Sequence, residues 1–365
     1  MEPLPTTLTL DERVNLILSF AEEVVQPDEL RNLLEKKPCP IAYDGFEPSG
    51  RMHIAQGLMK AINVNKLITA GVRVKYYVAD YFAMLNNKCG GKLEKIQTVG
   101  QYFVEVWKSV GMNLDGIEFV WSSEFINENH EMYWKMVMDI ARRNTVTRIK
   151  RCCTVMGRSE EDELTAAQIM YPCMQAADIF ALKADICQLG LDQRKVNMLA
   201  REYATETKKL KPIVVSNHML MGLREGQQKM SKSHPDSAIF MEDNEMEVNS
   251  KIKKAFCPPQ VVESNPVLDY VKHILFPARE VGLSGLSPSE GVEVRRSEEN
   301  GGNIVYNSYE ELESDFVEGT LHPGDLKTTL AREINRLLQP VRDHFKSNGQ
   351  AKKLLGQVKN IRVTR

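Results

Sequence analysis

The sequence predicts an α/β protein: a parallel sheet covered by helices on both faces, followed by a mainly helical second part. Three observations carry this. Five apolar, β-prone runs alternate with amphipathic helical stretches between about residues 40 and 216, the pattern of consecutive βαβ units. The first run leaves through a turn rich in glycine and proline, Gly45 to Gly50, and opens onto a helical stretch at His53. From about Met241 the alternation stops and helical periodicity dominates.

Taken in order, residues 10–36 read as two short helices. Leu10, Val14, Ile17 and Leu18 recur at helical spacing, as do Leu30, Leu33 and Leu34, and Pro27-Asp28 separates the two groups. Residues 1–38 are therefore expected to form a helical N-terminal extension. Strands are predicted at 40–44, 73–79, 117–121, 185–189 and 212–216, with helices at 53–70, 93–111, 130–148, 163–183 and 192–205 between them. In such sheets ligands bind at the carboxyl ends of the strands, where strand order reverses. A boundary is placed near 235–245, giving a domain over 39–240 and a helical domain over 241–365. The helices of the latter, at 245–256, 264–277 and 326–346, are broken by prolines and by a Gly/Ser/Asn-rich stretch at 282–303.

With 42% hydrophobic and 26% charged residues, the composition is that of an ordinary globular protein. It has no apolar run long enough for a membrane span. The N-terminus lacks the basic start of a secretory signal. Seven cysteines, without a C-x-x-C pair or zinc spacing, fit a reduced, cytoplasmic setting and no protein-bound metal. A net charge of −2 does not announce a nucleic-acid binder, but local patches exist. Residues 142–151 hold five basic residues and no acid, and the tail from Phe345 to Arg365 holds six and no acid.

Two stretches carry chemistry. A Gly-rich turn into a helix lets an anion approach the backbone, which suits Gly45, Gly50 and His53 to phosphate. Lys229-Met230-Ser231-Lys232-Ser233 follows the fifth predicted strand. Two lysines three apart suit a polyphosphate whose charge grows as a bond breaks. A Walker loop and a G-x-G-x-x-G turn are both absent.

Met52-His53-Ile54-Ala55-Gln56-Gly57 together with Lys229–Ser233 resembles the paired signatures of class I aminoacyl-tRNA synthetases. Within that class, Tyr43, Tyr171-Pro172-Cys173-Met174-Gln175-Ala176-Ala177-Asp178 and Leu189–Lys195 resemble the amino-acid pocket of the tyrosyl-tRNA synthetase family of archaeal and eukaryotic cytosolic type. Ala255–Pro258 and Leu321–Lys327 match the same group. Tyr171, Gln175 and Asp178 share one helix face. The resemblance implies a Rossmann-like catalytic domain with a dimerising helical insertion at about 84–165, and a C-terminal anticodon-binding domain. It implies a homodimer that activates L-tyrosine with ATP and Mg²⁺ and transfers it to tRNA(Tyr). By resemblance, the catalytic residues are His53, Lys229 and Lys232. Tyr43, Tyr171, Gln175, Asp178 and Gln193 would bind tyrosine. Gly45, Gly50, His53, Gln56, Gly57, Lys229, Met230, Ser231 and Lys232 would bind ATP. Arg194 would meet the acceptor stem and Asp325 an anticodon base.

The sequence departs from the family pattern at Gln56, where a second polar aromatic or histidine is usual, at Phe82, where relatives commonly have His, and at Asn300, where many carry an aromatic. A tryptophan-specific relative would not need the Tyr43/Asp178 pair. A binding module that has lost the chemistry would not need His53, Lys229 and Lys232. A general nucleotidyl transferase would not need the domain that holds Asp325.

Overall fold

The computed structural model describes residues 4–157, 162–230 and 235–362. Its main sheet has six strands: β1 (Ala21–Val25), β2 (Ile41–Phe46), β3 (Arg73–Val78), β4 (Ile117–Trp121), β5 (Ile186–Gly190) and β6 (Ile213–Asn217). They lie in the order β1-β6-β5-β2-β3-β4. All neighbours are parallel except β1, which runs antiparallel to β6. The five predicted strands are all present. β2 sits between β3 and β5, so the chain winds outward on one side and returns on the other, and strand order reverses at the β2/β5 crevice.

The sixth strand corrects the reading of residues 1–38 as purely helical. Helices Leu10–Leu18 and Pro27–Lys36 form as expected, but Ala21–Val25 between them joins the sheet edge. The run AEEVV is short and carries two adjacent acids, the composition of an edge strand that needs only one paired side. Buried Arg13 holds this segment down. Its guanidinium donates to the carbonyls of Ala70 at 2.7 Å, Leu34 at 3.3 Å and Pro38 at 2.9 Å, which satisfies acceptors near two helix ends.

Alternation along the strands divides the core in two. One face collects Ala42, Val74, Tyr76, Ile186 and Val215, and its cluster continues without a break into Leu326, Leu330, Ile334 and Leu337 of the helical C-terminal part. The other face collects Tyr43, Tyr77, Cys187 and Leu189 against helices His130–Arg143, Ala166–Ala181 and Arg194–Glu206. The stretch 84–165 includes β4, so the helices between neighbouring sheet strands there run from Ser122 to Cys152.

The C-terminal part is organised by helix Pro323–Ser347. It also contains a small hairpin, β7 (Val292–Val294) with β8 (Ile304–Tyr306), in the stretch expected only to break helices. The basic tail is ordered over Gly349–Lys359 as an amphipathic helix. Ala351, Leu354 and Val358 are buried against helix Leu93–Val110, while Lys352, Lys353 and Lys359 face outward.

Replacing Arg13 with Ala strands three carbonyls and should cost about 3 kcal/mol. The check is urea unfolding: the midpoint should fall while the slope stays unchanged.

Candidate active site

A cavity of about 370 Å³ opens at the carboxyl ends of β2 and β5 and reaches the segment after β6. Its wall includes Tyr43, Gly45, His53, Gln56, Tyr171, Gln175, Asp178, Gln193, Lys229 and Met230. The structure thus brings together residues that the sequence places up to two hundred positions apart. Ser231 and Lys232 lie outside the described residues.

At the closed end stands Asp178, with no exposed surface. Its Oδ1 accepts from the Tyr133 hydroxyl at 2.8 Å and the Tyr77 hydroxyl at 2.9 Å. Its Oδ2 is buried and has no partner among the described residues. Burial pushes the Asp178 carboxyl well above the usual range, while the two phenol bonds pull it down. Burial likewise raises the phenols of Tyr43, Tyr77, Tyr133 and Tyr171, so each keeps its proton to donate. An uncompensated buried oxygen is costly. Here the residue that carries it lines the cavity.

The helix that carries Asp178 is firmly built. Thr165 and Gln168 form a reciprocal cap at its start. Pro172 removes the amide that the Gln168 carbonyl would otherwise receive, and the Cys153 thiol donates to that carbonyl instead at 3.5 Å. On the face that looks into the cavity, the Tyr171 hydroxyl donates to Glu47 at 2.5 Å, and the Gln175 amide donates to Gln193 at 3.0 Å. Gln175 Oε1 has no partner among the described residues. Phe82 is buried edge-on to Tyr171, with ring centroids 4.9 Å apart, so this wall is apolar where a histidine would be polar.

The turn after β2 needs its glycines for identifiable reasons. A Cβ on Gly45 would stand 2.8 Å from the Tyr43 hydroxyl and push it off its position. Gly50 has φ of +128°, which few side chains tolerate. A Cβ on Gly57 would lie 2.1 Å from Met241 Sδ, so this glycine serves packing rather than the cavity. Residues Ala55–Met59 form a π-turn, and the amides of Gln56 and Gly57 donate to the His53 carbonyl at 2.9 and 3.0 Å. The Gln56 side-chain oxygen is buried without a partner among the described residues. Across the cavity, Lys229 is about half exposed and lies 3.6 Å from Asp192.

Three residues escaped the sequence reading: Tyr77, Tyr133 and Glu47. Strand alternation puts Tyr77 on the face of Tyr43, a usable signal. Tyr133 and Glu47 are brought in by tertiary packing alone. Other sequence candidates do not join the cavity. Arg194 pairs with Glu23 on β1 at 2.7 Å. Asp325 stands in the first turn of helix Pro323–Ser347, within the C-terminal part. The basic run 142–151 is partly neutralised, because Arg142 and Arg143 pair with Asp139 and Arg148 pairs with Glu202.

At the cavity floor, Lys60 donates to both oxygens of buried Asp44, at 2.8 and 2.6 Å. Burial raises the Asp44 carboxyl to about 6, against the pull of Lys60. The folded state thus holds a proton that the unfolded chain has already lost. Stability should fall as pH rises from about 4 to about 6, by about 3 kcal/mol from this group. Urea midpoints across that window test this, and Asp44→Asn should flatten the slope.

Comparison with known proteins gives a consistent picture. The model of class I tRNA synthetases (W and Y) matches residues 35–339. The chain is 59% identical to "Tyrosine--tRNA ligase 1, cytoplasmic" of Arabidopsis thaliana, over 98% of this chain and 90% of that protein. It is 60% identical to the second Arabidopsis cytoplasmic ligase but covers only 46% of its length. Among solved structures, the tyrosyl-tRNA synthetase of Leishmania major in complex with tyrosinol superposes with a TM-score of 0.89 at 51% identity, over 97% of this chain and 61% of that one. The enzyme of Pyrococcus horikoshii complexed with L-tyrosine gives 0.86 at 36% identity, over 96% and 100%.

Proposed function

Since the chain belongs to the class I tRNA synthetases of the tryptophan and tyrosine group, we propose that it is a tyrosine–tRNA ligase and that the cavity is its adenylation site. The observation that carries the choice of amino acid is Asp178. A fully buried carboxyl, steadied on one oxygen by two phenols and open on the other, suits the phenol of a tyrosine substrate. The substrate hydroxyl donates to Asp178 Oδ2 and accepts from the Tyr43 hydroxyl. Tyr171, Gln175 and Gln193 hold the amino and carboxyl end.

The reaction then has two steps. A carboxylate oxygen of tyrosine attacks the α-phosphorus of ATP, and pyrophosphate leaves. A ribose hydroxyl at the 3′ end of tRNA(Tyr) next attacks the carbonyl of the adenylate, and AMP leaves. The chain's own contribution is position and charge. Gly45 and Gly50 admit the nucleotide to the turn after β2, with Gln56, Met230 and Ser231 around it. His53 hydrogen-bonds the phosphate oxygens. Lys229 and Lys232 take the charge of the departing pyrophosphate, and Mg²⁺ arrives with ATP. Arg194 exchanges Glu23 for the acceptor stem, and Asp325 reads an anticodon base.

We place the enzyme in the cytoplasm, as the names of the Arabidopsis relatives do for those proteins. A homodimer is supported by helix His130–Arg143, which leaves Trp134 and Met138 exposed beside the pocket wall. Light scattering on the purified protein tests it.

Tyrosine-dependent ATP–pyrophosphate exchange, with phenylalanine and tryptophan alongside, tests the central claim. Exchange with tyrosine alone is expected, and its absence in folded protein overturns the reading. Tyr77→Phe and Tyr133→Phe should each raise the KM for tyrosine by up to about tenfold, the worth of a buried hydrogen bond. Lys232→Ala should slow adenylate formation far more than it weakens tyrosine binding.

A further inference from the structure

Three separate segments meet at the edge of the cavity, whose wall includes His218. His218 follows β6, Glu22 lies on β1, and Asp269 and His273 stand one turn apart across the π-turn Val271–Leu275 of the helical part. Asp269 Oδ2 accepts from the Met221 amide at 2.9 Å. That bond leaves Oδ1 toward the imidazoles, 2.7 Å from His218 Nε2 and 3.6 Å from His273 Nε2. The Nδ1 of His218 lies 3.0 Å from Glu22. Ligand atoms of His218, Asp269 and His273 all fall within 4.8 Å of one another.

We propose that His218, Asp269 and His273 bind a divalent transition-metal ion of the zinc type, with water in the fourth position and Glu22 as the positioning residue for His218. The distances are close to what such an ion requires. Bonds of about 2.0–2.1 Å in a tetrahedral site put ligand atoms roughly 3.4 Å apart. The Asp269–His273 edge is already near that value. The Asp269–His218 hydrogen bond must open by less than about 1 Å. The two rings, now stacked with centroids 3.9 Å apart, must turn so that their Nε2 lone pairs converge. The Nδ1–H of His218 donates to Glu22, which fixes the tautomer that leaves Nε2 available as the ligand, the carboxylate–histidine–metal arrangement. Two imidazoles with one carboxylate favour zinc, cobalt or nickel over magnesium, which prefers oxygen. The site is therefore chemically distinct from the Mg²⁺ that accompanies ATP. His273 is about a quarter exposed, which leaves an entry path. Sequence spacing did not reveal the site because only Asp269 and His273 are neighbours in the chain.

The test uses the full chain, stripped with a chelator and titrated with Co²⁺, followed by visible absorption and then by displacement with Zn²⁺. One equivalent should bind, Zn²⁺ should displace it, and millimolar Mg²⁺ should not. Glu22→Gln should weaken binding 10–100-fold. His273→Gln should abolish the one-to-one transition while keeping the thermal melt of the metal-free protein. Absence of saturable one-to-one binding overturns the proposal, as does an affinity unchanged in His273→Gln.

Discussion

The site depends on keeping one carboxyl group out of water. Asp178 has no exposed surface, and its Oδ1 collects hydroxyls from β3 and from helix His130–Arg143. Those two bonds tie three elements to one point: the sheet, the helix that lines the pocket, and the helix outside it. Moving any of them by an ångström would leave a buried acceptor partly unsatisfied. Under the proposed function, a substrate analogue without the hydroxyl would leave Oδ2 unpaired.

Much of this was legible in the chain. Apolar, β-prone runs and period-3.6 patterns located every parallel strand and the longer helices between them, but not the short helices Asp80–Leu85 and Ser122–Glu128. The i, i+4, i+7 spacing put Tyr171, Gln175 and Asp178 on one face, and the structure turns that face into the cavity. What escaped has a physical explanation. The strand at Ala21–Val25 is an edge strand with two acids, so its pattern is set by one partner and by solvent. Tyr133 looks from its sequence like one more core aromatic of an amphipathic helix. Only the packing of two helices against β3 brings its hydroxyl to Asp178. The pairing of Arg194 with Glu23 depends on that unforeseen edge strand.

The charge pattern gives a similar lesson. Five basic residues in ten suggest a binding patch, yet Asp139 on the same helix as Arg142 and Arg143, and Glu202 and Glu206 on helix Arg194–Glu206, partly answer them. The lysines of Gly349–Lys359 are different, because the buried stripe of that helix forces Lys352, Lys353 and Lys359 to the outside together. A linear count of charge treats the two stretches alike. The fold separates them.

The docking of helix Gly349–Lys359 on helix Leu93–Val110 has a consequence for how the protein is made. One wall of the first sheet layer is completed by residues synthesised much later, and His344 is joined to Glu105 at 2.8 Å across the same gap. A ribosome adding residues at cellular rates leaves that apolar surface uncovered for on the order of tens of seconds. The nascent chain is thus open to aggregation on this face until the last helices are made, and chaperone occupancy during synthesis should concentrate there.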